Sequence, residues 1–144
     1  MIVFTIGYTK KSVEQFFRCL KQPRLLRVVD VRLKNVSQLA GFTKKGDLQF
    51  FLREICGMDY VHLPDLAPTK EIFDEVKKDH CEWSACATKF LDLLSTRRVE
   101  ERVSRDLIDG GCLLCSEPTP EHCHRRLVAE YLRGKWGNLE IRHL

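Results

Sequence analysis

The chain has 144 residues, enough for one domain with a real hydrophobic core, and its 24 Lys and Arg against 20 Asp and Glu leave a net charge of +4. The charges are interspersed and no basic block stands alone, so an anionic ligand is allowed and nucleic acid is not demanded. No apolar run approaches the ~20 residues of a membrane span, and "MIVFTIGYT" lacks the basic and long apolar regions of a signal peptide, which leads to the expectation of a soluble cytoplasmic protein.

The elements alternate. "IVFTI" (2–6) is an apolar, β-branched run stopped by Gly7 and reads as a buried strand. "SVEQFFRCL" sets Val13, Phe16, Phe17 and Leu20 on one helical face, with Ser12 and Gln15 spaced as a capping box. "LLRVVDV" (25–31) is a second strand, and "GDLQFFLREI" repeats the helical stripe. "DYVHL" (59–63) is a third strand, ended by Pro64. Three helical pieces follow at about 69–78, 84–96 and 98–108, then a fourth strand, "CLLC" (112–115), behind Gly110-Gly111. A helix over 121–133 and the strand "LEIRH" complete the chain. Strand–helix alternation without a linker implies a single α/β domain over residues 1–144: a mostly parallel, Rossmann-like sheet of about five strands, with helices on both faces.

Ligands of such sheets bind outside the carboxyl ends of the strands. Just past those ends stand Gly7 and Tyr8, Asp30 with Arg32, His62, Cys115 with Glu117, and Arg142 with His143. Asp30 is notable inside "RVVDVR", because an unpaired buried carboxylate is costly, and it is expected to meet Arg32, Arg125 or a backbone amide.

The stretch "CSEPTPEHCHRR" (115–126) gathers two each of Cys, His, Glu and Arg. Pro118 and Pro120 set a turn, and a helix beginning near Glu121 would offer free backbone amides to an anion. On its wheel His124 lies on the buried stripe, Cys123 and Arg125 on the shoulders, and Arg126 towards solvent. Three chemical readings stand open. A zinc site would use Cys115, Cys123 and His124 or His122, but the usual close ligand pair is missing, and strand alternation turns Cys112 away from Cys115. A nucleophile reading makes Cys115 a thiolate favoured by Arg125 and a helix start. An acid/base reading gives the chemistry to Glu117 and Asp30. Against all three stands a buried cysteine beside a capped helix. The seven cysteines are otherwise expected to be buried, reactive or metal-bound rather than paired in disulfides.

"TIGYT", "VVDVR", "YVHLPDLAP" and "LLCSEPTPEHCHRRLVAEYL", in that order, resemble the motifs of the DUF488 family over residues 4–132, with "CxExxPxxCHR" the specific element. The resemblance implies a site on Gly7, Asp30, Arg32, His62, Cys115, Glu117, Cys123, His124 and Arg125. Here Tyr8-Thr9 replaces the family's His-Ser, Asn35-Val36-Ser37 stands where proline and basic residues are commoner, and Ala67 replaces a glycine. If the family histidine is a base, Tyr8 is a poor substitute at neutral pH. The family has no assigned reaction, and a fold hosts many functions. The expectation is a hydrolytic or group-transfer enzyme acting on a phosphate-bearing small molecule or nucleic-acid component. Cys115, Glu117, Asp30, His124 and His62 would be its chemical groups, and Arg125, Arg32, Gly7, Tyr8 and Cys123 its anion and substrate contacts, with no metal or cofactor. The alternatives are a non-catalytic nucleotide- or nucleic-acid-binding module and a structural zinc protein.

Overall fold

Five strands form one all-parallel sheet: β1 (Ile2–Gly7), β2 (Arg27–Asp30), β3 (Asp59–His62), β4 (Gly111–Cys115) and β5 (Glu140–His143), in the order β3-β2-β4-β1-β5. The computed structural model describes residues 1–35, 41–78, 82–117 and 119–144, without the side chain of Lys77. The turn expected at Pro118, and the departure at Val36 and Ser37, lie outside the described residues.

The central strands β1, β2 and β4 are buried on both faces, as the strands of parallel sheets are, while the edge strands β3 and β5 are more exposed. Ile2, Phe4 and Ile6 of β1, Val28 of β2, and Cys112 and Leu114 of β4 face one layer, made of α1 (Val13–Cys19) and α2 (Lys45–Phe51). Val3, Val29 and Leu113 face the other, where α3 (Lys70–Lys77), α4 (Trp83–Arg97) and α7 (His124–Trp136) bring Ile72, Phe90, Leu94, Leu127, Val128 and Leu132. Alternation along each strand divides the apolar residues between these layers, and each fully buried aliphatic or aromatic side chain contributes roughly 1.5–3 kcal/mol. No helix among the described residues is long and apolar enough to cross a membrane.

Local chemistry sets most helix ends. The Ser12 hydroxyl accepts from the Gln15 amide while the Gln15 side chain accepts from the Ser12 amide, the reciprocal cap that the spacing predicts. The helix expected over 98–108 is two short ones, α5 (Val99–Arg102) and α6 (Arg105–Ile108), because Val103 turns extended and Ser104 caps a new start through the Asp106 amide. α2 runs into a π-helical turn (Leu52–Cys56) that closes on Gly57 at φ +62, a conformation glycine adopts freely. α7 begins at His124, not at residue 121, because Cys123 keeps extended dihedrals of φ −132 and ψ 138. Its buried stripe is as expected, since apolar spacing tells which way a helix faces but not where its first turn closes. Cys19, Cys56, Cys112, Cys115 and Cys123 are free thiols, whereas Cys86 is disulfide-bonded, contrary to the expectation drawn from compartment alone.

Candidate functional site

At the carboxyl edge the end of β1 and the loop after β4 run side by side. The Tyr8 amide donates to the Cys115 carbonyl at 3.3 Å and the Thr9 amide to the Ser116 carbonyl at 3.1 Å, so the β1–β4 pairing continues past both strands. Gly7, level with Cys115, permits this. A methyl group there would collide with the Glu117 carbonyl and sit 2.8 Å from Nη1 of Arg125. The glycine serves close approach rather than an unusual dihedral.

Arg125 holds the loop from beneath. Its Nη1 donates to the Glu117 carbonyl at 2.6 Å and to Cys123 Sγ at 3.3 Å, and its Nε donates to Thr5 Oγ1 at 3.3 Å. The residue is fully buried, and its Nη2 has no hydrogen-bond partner among the described residues. No carboxylate there forms an ion pair with it. A buried cation without a carboxylate is costly unless another anion compensates. The acidic groups near it are the thiols of Cys112, Cys115 and Cys123.

The Cys115 and Cys123 thiols influence each other's ionisation. The Cys123 thiol lowers the Cys115 pKa to about 7 against the opposing effect of burial, helped by the backbone of Glu117 and Ser116 and by the Arg125 charge. The same pairing pushes the Cys123 thiol up. Cys112 lies on the other face of β4, where burial drives its thiol up too. Of the three thiols, Cys115 is the one pushed down, the direction a nucleophile requires.

Cys115 opens on a cavity of about 220 Å³. Tyr8, Arg32, Lys34, Ser116, Glu117, His122 and His124 are among its lining, together with apolar side chains that include Leu33, Phe73 and Val76. The His124 ring stands edge-on to Phe90 at 4.7 Å and to Trp83 at 5.9 Å. Burial lowers its pKa to about 4, so the ring is neutral at physiological pH, and its Nε2 has no hydrogen-bond partner among the described residues. His122 stacks on Trp83 with ring centroids 5.2 Å apart. Lys34 puts its ammonium 5.5 Å from the centre of the Phe73 ring.

The β2 side of the edge is organised differently. Asp30 is fully buried and accepts from Arg32 Nε and Nη2, both at 2.9 Å, from the Arg32 amide at 3.0 Å and from the Tyr60 hydroxyl at 2.5 Å. Burial and this bond push the Tyr60 hydroxyl well above its ordinary range. Arg32 also donates to the Thr43 carbonyl at 2.7 Å, and its guanidinium lies 5.4 Å from the centre of the Tyr8 ring. His62 Nε2 meets the Arg32 carbonyl at 3.0 Å and steadies the same turn.

Of the residues expected at one pocket, Cys115, Glu117, His124, Arg32 and Tyr8 do line the cavity. Arg125, Cys123 and Gly7 form the layer beneath the loop, while Asp30 lies in register with Leu114, on the α1–α2 side of the sheet. His62 contacts the backbone after β2 and is not in the lining. The anion pocket expected at a helix start near Glu121 is not formed there, since no helical amides begin before His124. Arg126 is half-buried rather than solvent-facing, 3.6 Å from Glu130. Lys34 and Phe73 were not singled out from the sequence. Lys34 follows Arg32 at the strand period, a signal that could have found it. No three His, Cys, Asp or Glu side chains among the described residues are grouped as a metal site needs.

No curated protein and no solved structure matches the chain. The family model described as "Domain of unknown function DUF488" matches residues 12–132, so the helices and strands that build the cavity, from α1 through most of α7, carry the pattern of that family. The chain belongs to the DUF488 family.

Proposed function

We propose that the cavity is the active site of a hydrolytic or group-transfer enzyme in which Cys115 is the nucleophile and the substrate bears an anionic group, most simply a phosphate. The observation that carries this is the setting of Cys115: a thiol lining a cavity, its pKa pushed down by the neighbouring Cys123 thiol, close to a buried guanidinium that has no carboxylate partner among the described residues. Lys34 and Arg32, the cations of the lining, hold the anion, with Lys34 the freer because Arg32 is committed to Asp30. Neutral His124 offers Nε2 as a hydrogen-bonding partner to the substrate.

In the first half-reaction the Cys115 sulfur attacks phosphorus, an S–P bond forms, and the leaving oxygen departs with its bonding pair and takes a proton from water. In the second, Glu117 accepts a proton from a water whose oxygen attacks the same phosphorus. The S–P bond breaks, and the thiolate and a phosphate are released. Arg125 and Asp30 act through others here, the first by holding the Glu117 carbonyl and the second by holding Arg32.

The test is turnover of p-nitrophenyl phosphate and bis(p-nitrophenyl) phosphate, with intact-mass trapping of a phosphorylated Cys115. Cys115→Ser should abolish both turnover and adduct, and Lys34→Ala should weaken inhibition by free phosphate about ten- to a hundredfold. Turnover that survives Cys115→Ser but vanishes in Glu117→Gln would give the chemistry to the carboxylate. Salt-sensitive phosphate or nucleotide binding with no turnover of either ester would make the domain a binding module.

A further inference from the structure

We propose that Cys115 and Cys123 form a dithiol couple, which hydrogen peroxide converts to an intramolecular disulfide that reversibly silences the site. The inference rests on the reading of Cys115 as the nucleophile and adds a regulation to it.

Three observations carry it. Cys115 stands level with Gly7, where a Cβ would lie 2.8 Å from Arg125 Nη1, and that same Nη1 lies 3.3 Å from Cys123 Sγ, so the two thiols gather around one guanidinium, each shifting the other's proton affinity. Their access is unequal: Cys115 lines the cavity, whereas Cys123 is fully buried behind it, so a small oxidant reaches only the first. Arg125 Nη1 lies 3.3 Å from Cys123 Sγ, where its charge favours the Cys123 thiolate as that thiol gives up its proton. The backbone permits the closure as well. Cys115 is the last residue of β4 and Cys123 is the extended residue before α7, so drawing the sulfurs together breaks neither ladder nor helix.

The Cys115 thiolate attacks one oxygen of hydrogen peroxide. An S–O bond forms, the O–O bond breaks, and the departing hydroxide takes a proton to become water. Cys115 is now a sulfenic acid, oxidised by two electrons as the peroxide is reduced. The Cys123 sulfur then attacks the Cys115 sulfur, the S–S bond forms, and the hydroxyl leaves as a second water with the proton that Cys123 gives up. Without such a resolving thiol a sulfenic acid proceeds to the sulfinic acid, which is not readily reversed. Cys112, buried on the opposite face of β4, offers no comparable partner.

The experiment treats reduced full-length protein with hydrogen peroxide, blocks the remaining thiols and cuts after glutamate. Glu117 and Glu121 lie between the two cysteines, so their peptides separate unless cross-linked. A Cys115–Cys123 cross-link that dithiothreitol reverses is expected. Cys123→Ala should instead gain oxygen on Cys115, with loss of dithiothreitol reversibility. Oxygen on Cys115 of the wild type without the cross-link overturns the proposal, as does a cross-link that joins Cys115 to a cysteine other than Cys123. Iodoacetamide labelling of the reduced protein separates the two levels. Fast labelling of Cys115 without a cross-link ends the couple alone, whereas Cys115 labelling no faster than Cys112 ends the nucleophile reading with it.

Discussion

The guanidinium of Arg125 donates to the carbonyl of Glu117 at 2.6 Å, and the space in which they meet exists because Gly7 has no side chain. Two distant parts of the chain thus depend on one another. Gly7→Ala is expected to displace the Glu117 carbonyl, cost roughly 1–3 kcal/mol as overpacking does, and lower the thermal midpoint by several degrees. Arg125→Lys keeps the charge but cannot bridge Thr5 and Glu117 together, so it should fall between wild type and Arg125→Ala. Thermal unfolding of the three variants checks this, and an unchanged midpoint for Gly7→Ala would show that the contact yields freely.

The Asp30–Arg32 pair should behave as a structural ion pair. Asp30→Asn removes the counter-charge of a guanidinium that is 5 % exposed, and breaking such a pair is expected to cost about 3–5 kcal/mol. Tyr60→Phe removes one bond to the same carboxylate and should cost about 1–3 kcal/mol. Urea unfolding midpoints measure both. A near-neutral Asp30→Asn would mean that Arg32 finds other partners.

Alkylation of Cys115 should follow its own titration. The reactive form is the thiolate, so the iodoacetamide rate should rise through a midpoint near pH 7 and level off above it, whereas Cys112, raised by burial, stays slow throughout. Cys123→Ala should move that midpoint upwards, and by more than Arg125→Ala does, because the second thiol is the larger influence. Mass-resolved rate profiles decide between them. Equal shifts would assign the effect to charge alone.

His124 sets an acid limit on stability. Its pKa falls from 6.5 to about 4 on folding because the ring is buried, so the unfolded chain binds a proton that the native state refuses. Stability should be unaffected by this group above pH 6.5, decline as pH falls from there, and reach its full loss below about 4, a change on the order of 3 kcal/mol. His124→Gln should flatten the decline relative to its own value at pH 7. Chemical denaturation at stepped pH reads the slope, and an identical slope in the variant would place the proton uptake elsewhere.

Much of this architecture was legible beforehand. Five apolar runs separated by amphipathic helices imply a parallel sheet, and a parallel sheet has a ligand-bearing edge, which is how Cys115, Glu117, Arg32 and Tyr8 could be named together. The face of the sheet was harder. Asp30 and Cys115 share the edge but project to opposite sides, and that depends on the register Asp30–Leu114, which no single strand reveals. The depth of Arg125 was not legible either: an arginine on the shoulder of a helix usually snorkels to water, and the nearby Thr5 and Glu117 show why this one stays inside. The start of α7 was misplaced because Cys123 takes its extended conformation in a loop whose thiol contacts are tertiary.

The strand order has a bearing on how the protein comes into being. β1 and β2 never touch; each pairs with β4, whose residues are translated long after them. Until Gly111–Cys115 is available, the early strands stand as separate pieces with open edges, hazardous to a chain still being made. The strand that knits the sheet together is also the one that ends in the reactive cysteine. A nascent chain halted after Asp109 is expected to lack a continuous sheet and any cavity, which hydrogen exchange on stalled ribosomes would register, so the reactive thiol arrives together with the strand that makes the sheet continuous.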